Sequence, residues 1–410
     1  MLLIKNAKII LSEEKEVITS ILIGDSGKIL EIDENIKMEN LESLKVIDAS
    51  ENYVIPGVID AHTHMRDPGL CYKEDFITGS KACAKGGVTT FIDMPNTVPN
   101  TITELSLKEK KANSLNRSYV DYGFHFGGSR LDNSEDIIKV ANEVASTKIF
   151  LNMSTGDMLV EDSKVVENIF NASRIVSVHA EEDKVDTAIE FAKKTGKPLY
   201  LCHLSKASEV SSLEKAKKEG IKIYGEVAPH HLFLSSKDRE KNDENKMLLN
   251  MKPDLKTEED CDALWKGIKN GVIDTIGTDH APHTLEEKMS KVMFGIPGIE
   301  NSLELMLSAV QDKKISLYTL IKIMSKNPAK IFGIKNKGEI RVGYDGDLVI
   351  VDLKQVYTIN NKTLISKCGW TPYKGMRSGG KILTTILRGN IVYNNEEFFG
   401  PIGQEIKYTF

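Results

Sequence analysis

The sequence predicts an α/β chain: a (β/α)8 TIM-type barrel with a small flanking β domain built from both termini. Three observations predict it. Short β-branched runs and longer amphipathic stretches alternate eight times through the middle of the chain. Strand-like alternation without intervening helices is confined to the two ends. Nearly every one of the eight central runs finishes on a metal-capable or ionisable side chain, and such barrels gather their chemistry at the C-terminal ends of their strands.

At the N-terminus LLIKNAKIIL, ITSILIG, KILEID and KVIDAS alternate apolar and polar residues, with a turn signal at Asp25, Ser26 and Gly27. The same texture returns in DLVIVDL (347–353) and ILTTILRGNIVYN (382–394). Neither end holds enough apolar strand for a domain of its own, so the two half-sheets are expected to pair. The expected boundaries are 1–53 and 341–410 for the β domain and 54–340 for the barrel. The eight central runs are VIPGVIDAH (54–62), VTTFID (88–93), YVDYGFHF (119–126), TKIFLN (147–152), RIVSVH (174–179), PLYLCH (198–203), IKIYGEV (221–227) and VIDTIGTD (272–279). Between them the spacing predicts helices. One covers 134–146, with Ser134 as N-cap and Ile137, Val140, Ala141 and Val144 on one face; another covers 208–219 and stops at Gly220. The charged stretch KDREKNDENK (237–246) reads as a mobile surface segment.

Composition narrows the function. Of 410 residues, 40% are hydrophobic and 28% charged, which excludes a disordered or fibrous chain. With 54 basic and 59 acidic residues the net charge is −5, so nucleic-acid binding through overall basicity is excluded. No run approaches the ~18 uninterrupted apolar residues of a membrane span. The opening MLLIKNAKIILSEEKEV lacks the core and cleavage site of a signal peptide, so a cytoplasmic protein is expected. Five scattered cysteines (Cys71, Cys83, Cys202, Cys261, Cys368) with no CxxC pair argue against disulfides and against a thiolate zinc site.

The strand ends carry His62, His64, Asp93, His125, Lys148, His179, His203, Glu226 and Asp279. In a strand, residues i and i+2 share a face, so His62 and His64 can reach one ion. His179 and His203 end two further strands, and four buried imidazoles at converging ends need partners that a metal supplies. Imidazole and carboxylate ligands without thiolate suit Zn²⁺ in an open catalytic site, or Mn²⁺, Fe²⁺ or Co²⁺. Asp279, in GTDHAPH, can bind metal and take a proton from metal-activated water; its structural alternative is a helix N-cap. Lys148 lies inside an apolar run and needs a counter-charge. Composition alone favours an ordinary salt bridge for it; reaction with CO₂ to a carbamate would make it an anionic ligand.

Five segments carry a resemblance: PGVIDAHTHMRDPG, KEDFITGSKACAKGGVTTFIDMPNTVP, EVAPHHLFL, TDHAPHTLEEK and NPAKIFGIKNKGEI. Together with GDLVIVD and GWTPYKGM, they look like dihydroorotases of the amidohydrolase superfamily, from about residue 50 to the end of the chain. The resemblance implies two zinc ions, one held by His62 and His64 and the other by His179 and His203. It implies that Lys148, in KIFLNMSTG, is carboxylated and bridges them, and that Asp279 ligates the first ion and acts as general acid/base. It also implies that Arg66, Asn96 and His283 hold a substrate carboxylate, for which a guanidinium is suited by its paired donors. In isolation Arg66 could equally pair with Asp67 or Glu74, and Asn96 could serve the turn after Pro95. The family's NPPLR segment reads MKPDLK here (251–256), so Lys252 stands where an Asn contacts the substrate ring and Lys256 where an Arg stands.

The activity implied is reversible cyclic-amide hydrolysis, dihydroorotate to N-carbamoyl-aspartate, in pyrimidine biosynthesis. The implied partners are a second copy of the chain and aspartate transcarbamoylase, with no nucleic acid and no membrane. Two rivals differ in testable ways. A hydantoinase or allantoinase has no use for a guanidinium that binds a ring carboxylate. A non-catalytic scaffold for aspartate transcarbamoylase should have lost ligands, and here all six are present.

Overall fold

The computed structural model describes residues 1–36, 44–153 and 158–409, so residues 154–156 of the KIFLNMSTG stretch lie outside the described residues. All eight central runs form barrel strands. Val58–Thr63, Val88–Asp93 and Asp121–Phe124 make one parallel sheet. Phe126–Gly127, Thr147–Phe150, Val176–His179, Leu199–Leu201, Ile223–Val227 and Thr275–Ile276 make another. The two sheets meet within YVDYGFHF, where His125 separates its two halves. The other seam closes when His64 N donates to His280 O (2.8 Å) and Thr278 N to Asp60 Oδ1 (3.0 Å). Both faces of these strands are covered, one by the barrel interior and one by helices. Every residue of Val58–Thr63 and Val88–Asp93 is accordingly buried.

The first run divides at Gly57. Tyr53–Pro56 pairs antiparallel with Leu348–Asp352 and touches Leu2–Ser12 at Lys8 and Tyr53, so it joins the N- and C-terminal strands. The resulting nine-stranded sheet runs Glu397–Phe398, Asn390–Asn394, Lys381–Leu387, Leu348–Asp352, Tyr53–Pro56, Leu2–Ser12, Lys15–Ile23, Ile29–Asp33, with Lys45–Asp48 also on Leu2–Ser12. A Cβ at Gly57 would lie 2.1 Å from Thr89 Oγ1, so only glycine lets the chain pass from sheet to barrel here. A buried charge cluster ties the same junction. Lys337 Nζ sits 2.7 Å from Asp121 Oδ2 at the start of the third barrel strand and also bonds Asp347, while Arg388 pairs with Asp121.

One helix expectation needs correction. The helix over 134–146 is shorter, Ser134–Val140, and Asn133 holds the cap position. Asn133 does not cap with its side chain because Nδ2 donates to Ile102 O (2.7 Å) and Gly127 O (2.8 Å) while Oδ1 accepts from Ser129 N (2.9 Å). The charged stretch 237–246 spans parts of two short helices, Ser236–Glu240 and Asp243–Leu248, the second capped by Asn242. Helix Ala207–Lys218 ends as expected, with Gly220 at φ +79°. Among the described residues no helix is long and apolar enough to cross a membrane.

Candidate active site

The strand ends converge on one small cavity. Of the ten predicted site residues, His62, His64, Arg66, Asn96, His179, His203, Lys252 and Asp279 line it. His283 packs behind Arg66, its Nε2 3.2 Å from Arg66 Nη2. Lys148 is fully buried, with Nζ 3.0 Å from Cys202 Sγ and 5.0 Å from the Phe150 ring centre. Among the described residues no carboxylate pairs with Lys148. Arg66 (φ 60°), His203 (φ 35°) and Asp279 (φ 46°) occupy the left-handed region, which non-glycine residues hold only where surrounding structure imposes it.

The imidazole tautomers follow from their partners. Glu226 Oε1 can only accept, so the His62 Nδ1 it meets at 2.6 Å carries the proton. Asn96 Oδ1 meets His64 Nδ1 at 2.7 Å and sets the same tautomer there. Both Nε2 lone pairs then face Asp279 Oδ1, at 3.3 Å from His62 and 3.0 Å from His64. Three acceptors converge with no donor among them, and the arrangement calls for a cation. A metal ion fits it. Without one a proton takes the place: burial opposes charging of His62, but the Glu226 and Asp279 carboxylates prevail and push its pKa up to about 10. Burial instead pushes His64 down to about 4. Asp279 is held well below the usual carboxylate range by His62 and His64, against its burial.

His179 and His203 form a second pair, His179 Nδ1 to His203 Nε2 at 2.9 Å, and burial keeps both neutral. Ring centres of His62 and His203 are 5.1 Å apart, so the two pairs stand side by side. Buried His203 Nδ1 has no hydrogen-bond partner among the described residues.

The remaining strand-end residues are supports. Wholly buried Glu226 accepts from His62 Nδ1, Tyr200 Oη (2.8 Å) and His203 N (2.9 Å). A Cβ at Gly277 would lie 2.2 Å from Glu226 Oε2, so glycine there makes room for this carboxylate. Asp93 pairs with Lys110 (2.6 Å) and accepts from Met65 N (2.7 Å). His125 uses both nitrogens, on Ser146 Oγ (2.7 Å) and Ala61 O (2.8 Å), and is no ligand. His230 and His231 are buried and neutral, His230 pushed down to about 4 by burial.

On the opposite flank the pocket is cationic. Arg66 is buried and donates Nε to Pro282 O (3.1 Å), not to Asp67, which pairs instead with Arg117 (2.8 Å). Lys252 Nζ stands 5.4 Å from the Phe294 ring centre. Sequence reading missed Lys73, whose Nζ reaches His283 Nδ1 at 3.0 Å. It also missed the second job of Asn96, orientation of His64. Trp370, in the GWTPYKGM segment, donates Nε1 to His283 O at 2.8 Å.

Comparison with known proteins gives a consistent result. The amidohydrolase family model matches residues 53–392. A dihydroorotase of Methanosphaera stadtmanae is 35% identical, covering 97% of this chain and 97% of that protein. A dihydroorotase of Pyrococcus horikoshii is 38% identical, over 86% of this chain and 84% of that one. Among solved structures, an L-hydantoinase (dihydropyrimidinase) from Arthrobacter aurescens superposes with a TM-score of 0.91 at 28% identity, over 99% of each chain.

Proposed function

This chain belongs to the dihydroorotases of the amidohydrolase family, and from that we propose that it interconverts dihydroorotate and N-carbamoyl-L-aspartate in pyrimidine (UMP) biosynthesis. One observation carries the reading: a buried guanidinium, Arg66, lies beside the histidine–aspartate cluster in one pocket with Lys252. That places a carboxylate-binding flank next to a hydrolytic one.

In this reading His62, His64 and Asp279 would hold one zinc ion and His179 and His203 a second, with Lys148, as a carbamate, a shared anionic ligand. The full burial of Lys148 beside Cys202 at the mouth of these strands is in keeping with that role. When bound, the ions polarise the amide carbonyl and make hydroxide available near neutral pH. Asp279 takes the nucleophile's proton and returns it to the ring nitrogen as the C–N bond breaks. Arg66, Asn96 and His283 hold the ring carboxylate, and Lys252 adds positive charge near the ring, so the scissile amide is fixed over Asp279. A cytoplasmic setting, a homodimer and association with aspartate transcarbamoylase belong to the same reading.

The test is ring opening of dihydroorotate and closure of N-carbamoyl-aspartate by zinc-loaded protein. Lys148→Ala should abolish turnover. Arg66→Ala should lower kcat/KM by about 10- to 100-fold, the range for a lost charged hydrogen bond. The Arthrobacter likeness makes a hydantoin without a carboxylate the informative competitor. Turnover of that compound, unaffected by Arg66→Ala and without activity on dihydroorotate, would refute the proposal.

A further inference from the structure

Lys73 has no part in the roles above, yet it is 4% exposed and faces the substrate flank. It lies in the turn leading into helix Phe76–Lys85, some distance from the strand ends in sequence. Its Nζ is 3.0 Å from His283 Nδ1 and 3.2 Å from Glu287 Oε1, an oxygen that also accepts from Tyr72 Oη at 2.7 Å.

An ammonium is a donor only. Its contact with Nδ1 requires a lone pair there, so the proton of the neutral His283 ring sits on Nε2. The surroundings of Nε2 agree. Phe294 O, 3.0 Å away, can accept that proton. Arg66 Nη2, 3.2 Å away, carries only donors, so it cannot pair with an Nε2–H. Phe294 O therefore takes the Nε2–H, and Arg66 Nη2 finds no acceptor on His283, which leaves the guanidinium edge for one oxygen of an anion. A second proton on the ring is disfavoured as well: burial, with Arg66 and Lys73 close by, pushes His283 down to about 2.

The alternative state is also built in. Glu287 Oε2 lies 3.6 Å from His283 Nδ1. If the ammonium were absent, Nδ1 could carry the proton and turn it toward Glu287. The lone pair on Nε2 would then accept from Arg66 Nη2, closing the Arg66–His283 contact as an ordinary hydrogen bond and drawing that donor away from the pocket.

We infer that Lys73 is a positioning residue for substrate recognition: it holds His283 in the Nε2–H tautomer, which donates to Phe294 O and cannot accept from Arg66, so that Arg66 Nη2 is kept off His283 and available to a substrate carboxylate. The inference rests on the reading that the substrate carries a ring carboxylate.

The experiment pairs histidine ¹⁵N NMR with steady-state kinetics on the metal-loaded full chain, with the His283 signals identified by their loss in His283→Asn. In the unmodified protein His283 should show a protonated Nε2 and a bare Nδ1; the reverse pattern overturns the inference without any variant. In Lys73→Met the protonated nitrogen should switch to Nδ1. The KM for dihydroorotate should rise about tenfold or more, with kcat changed less than twofold. Lys73→Arg, which keeps a cationic donor, should restore the tautomer and most of the KM. A purely structural lysine would lower thermal stability but leave the tautomer in place. An unswitched ring, or a switched ring with unchanged KM, overturns the inference. If the unmodified protein does not turn over dihydroorotate, the proposed function fails, and the NMR pattern in the three proteins still decides what Lys73 does to His283.

Discussion

Glu226 is the point at which one substitution separates charge from shape. Its Oε1 receives His62 Nδ1 and His203 N, and its Oε2 receives Tyr200 Oη, whose oxygen also lies 2.7 Å from Thr275 Oγ1. In Glu226→Gln the amide oxygen can keep the first two bonds. The new NH₂ can donate to Tyr200 Oη, whose own proton turns to Thr275. No hydrogen bond need be lost and the volume is unchanged, so the variant removes mainly the charge behind His62. That charge strengthens the Nε2 lone pair directed at the candidate metal position. Loss of such an outer partner lowers metal affinity by about 10- to 100-fold, or about 1.4–2.7 kcal/mol. The assay is competition for zinc against a chromophoric chelator at fixed pH, with a thermal melt of each metal-loaded protein alongside. Tighter or unchanged zinc affinity in Glu226→Gln would refute the claim that this carboxylate tunes His62 as a ligand. A fall in affinity with an intact melt would support it.

Two further predictions concern the frame around the site. Glu304 is 5% exposed, and burial, with Glu300 near it, raises its pKa to about 8 from an ordinary 4.5. The unfolded chain releases this proton near pH 4.5 while the folded chain keeps it to about pH 8, so the group makes stability fall as pH rises through that window. At about 1.4 kcal/mol per pH unit, the contribution lost by pH 7 is roughly 3 kcal/mol. Glu304→Gln should lack this slope. Urea denaturation at pH 5 and 7.5 that shows equal pH dependence in both proteins would contradict it. Lys337, buried between Asp121 and Asp347, joins the barrel to the terminal sheet. Lys337→Met leaves buried carboxylates without their cation and should cost about 3–5 kcal/mol of stability, read as a lower urea midpoint.

What the sequence reveals and what it hides divide along physical lines. The barrel was legible because eight strands buried on both faces must be short and apolar, and because a parallel strand has to be followed by a return helix. The cluster of strand-end side chains was legible for a related reason: a polar residue that ends such a run has few places to go except the common mouth. That logic brought His62, His64, His179, His203 and Asp279 together across more than two hundred residues of chain. It failed at His125, which ends no strand but interrupts one, and whose two nitrogens are taken by Ser146 and Ala61 within the wall. The capping expectation at Ser134 failed too: the cap position falls on Asn133, whose side chain is taken by three loop contacts.

The deeper limit is that a sequence names an imidazole without saying which nitrogen is protonated. Here that distinction separates an imidazole that accepts from one that donates. Glu226 and Asn96 protonate Nδ1 of His62 and His64 and leave Nε2 bare for a cation. Lys73 does the opposite to His283, occupying Nδ1 and leaving a proton on Nε2 that Phe294 O accepts. Acceptors stand behind the histidines that must accept, and a donor stands behind the one that must donate. Each selecting partner lies far from its histidine in the chain: Glu226 is 164 residues from His62, and Lys73 is 210 from His283. No local pattern could have announced them. The two halves of the pocket, one built to take positive charge and one negative, differ less in residue type than in what stands behind each ring.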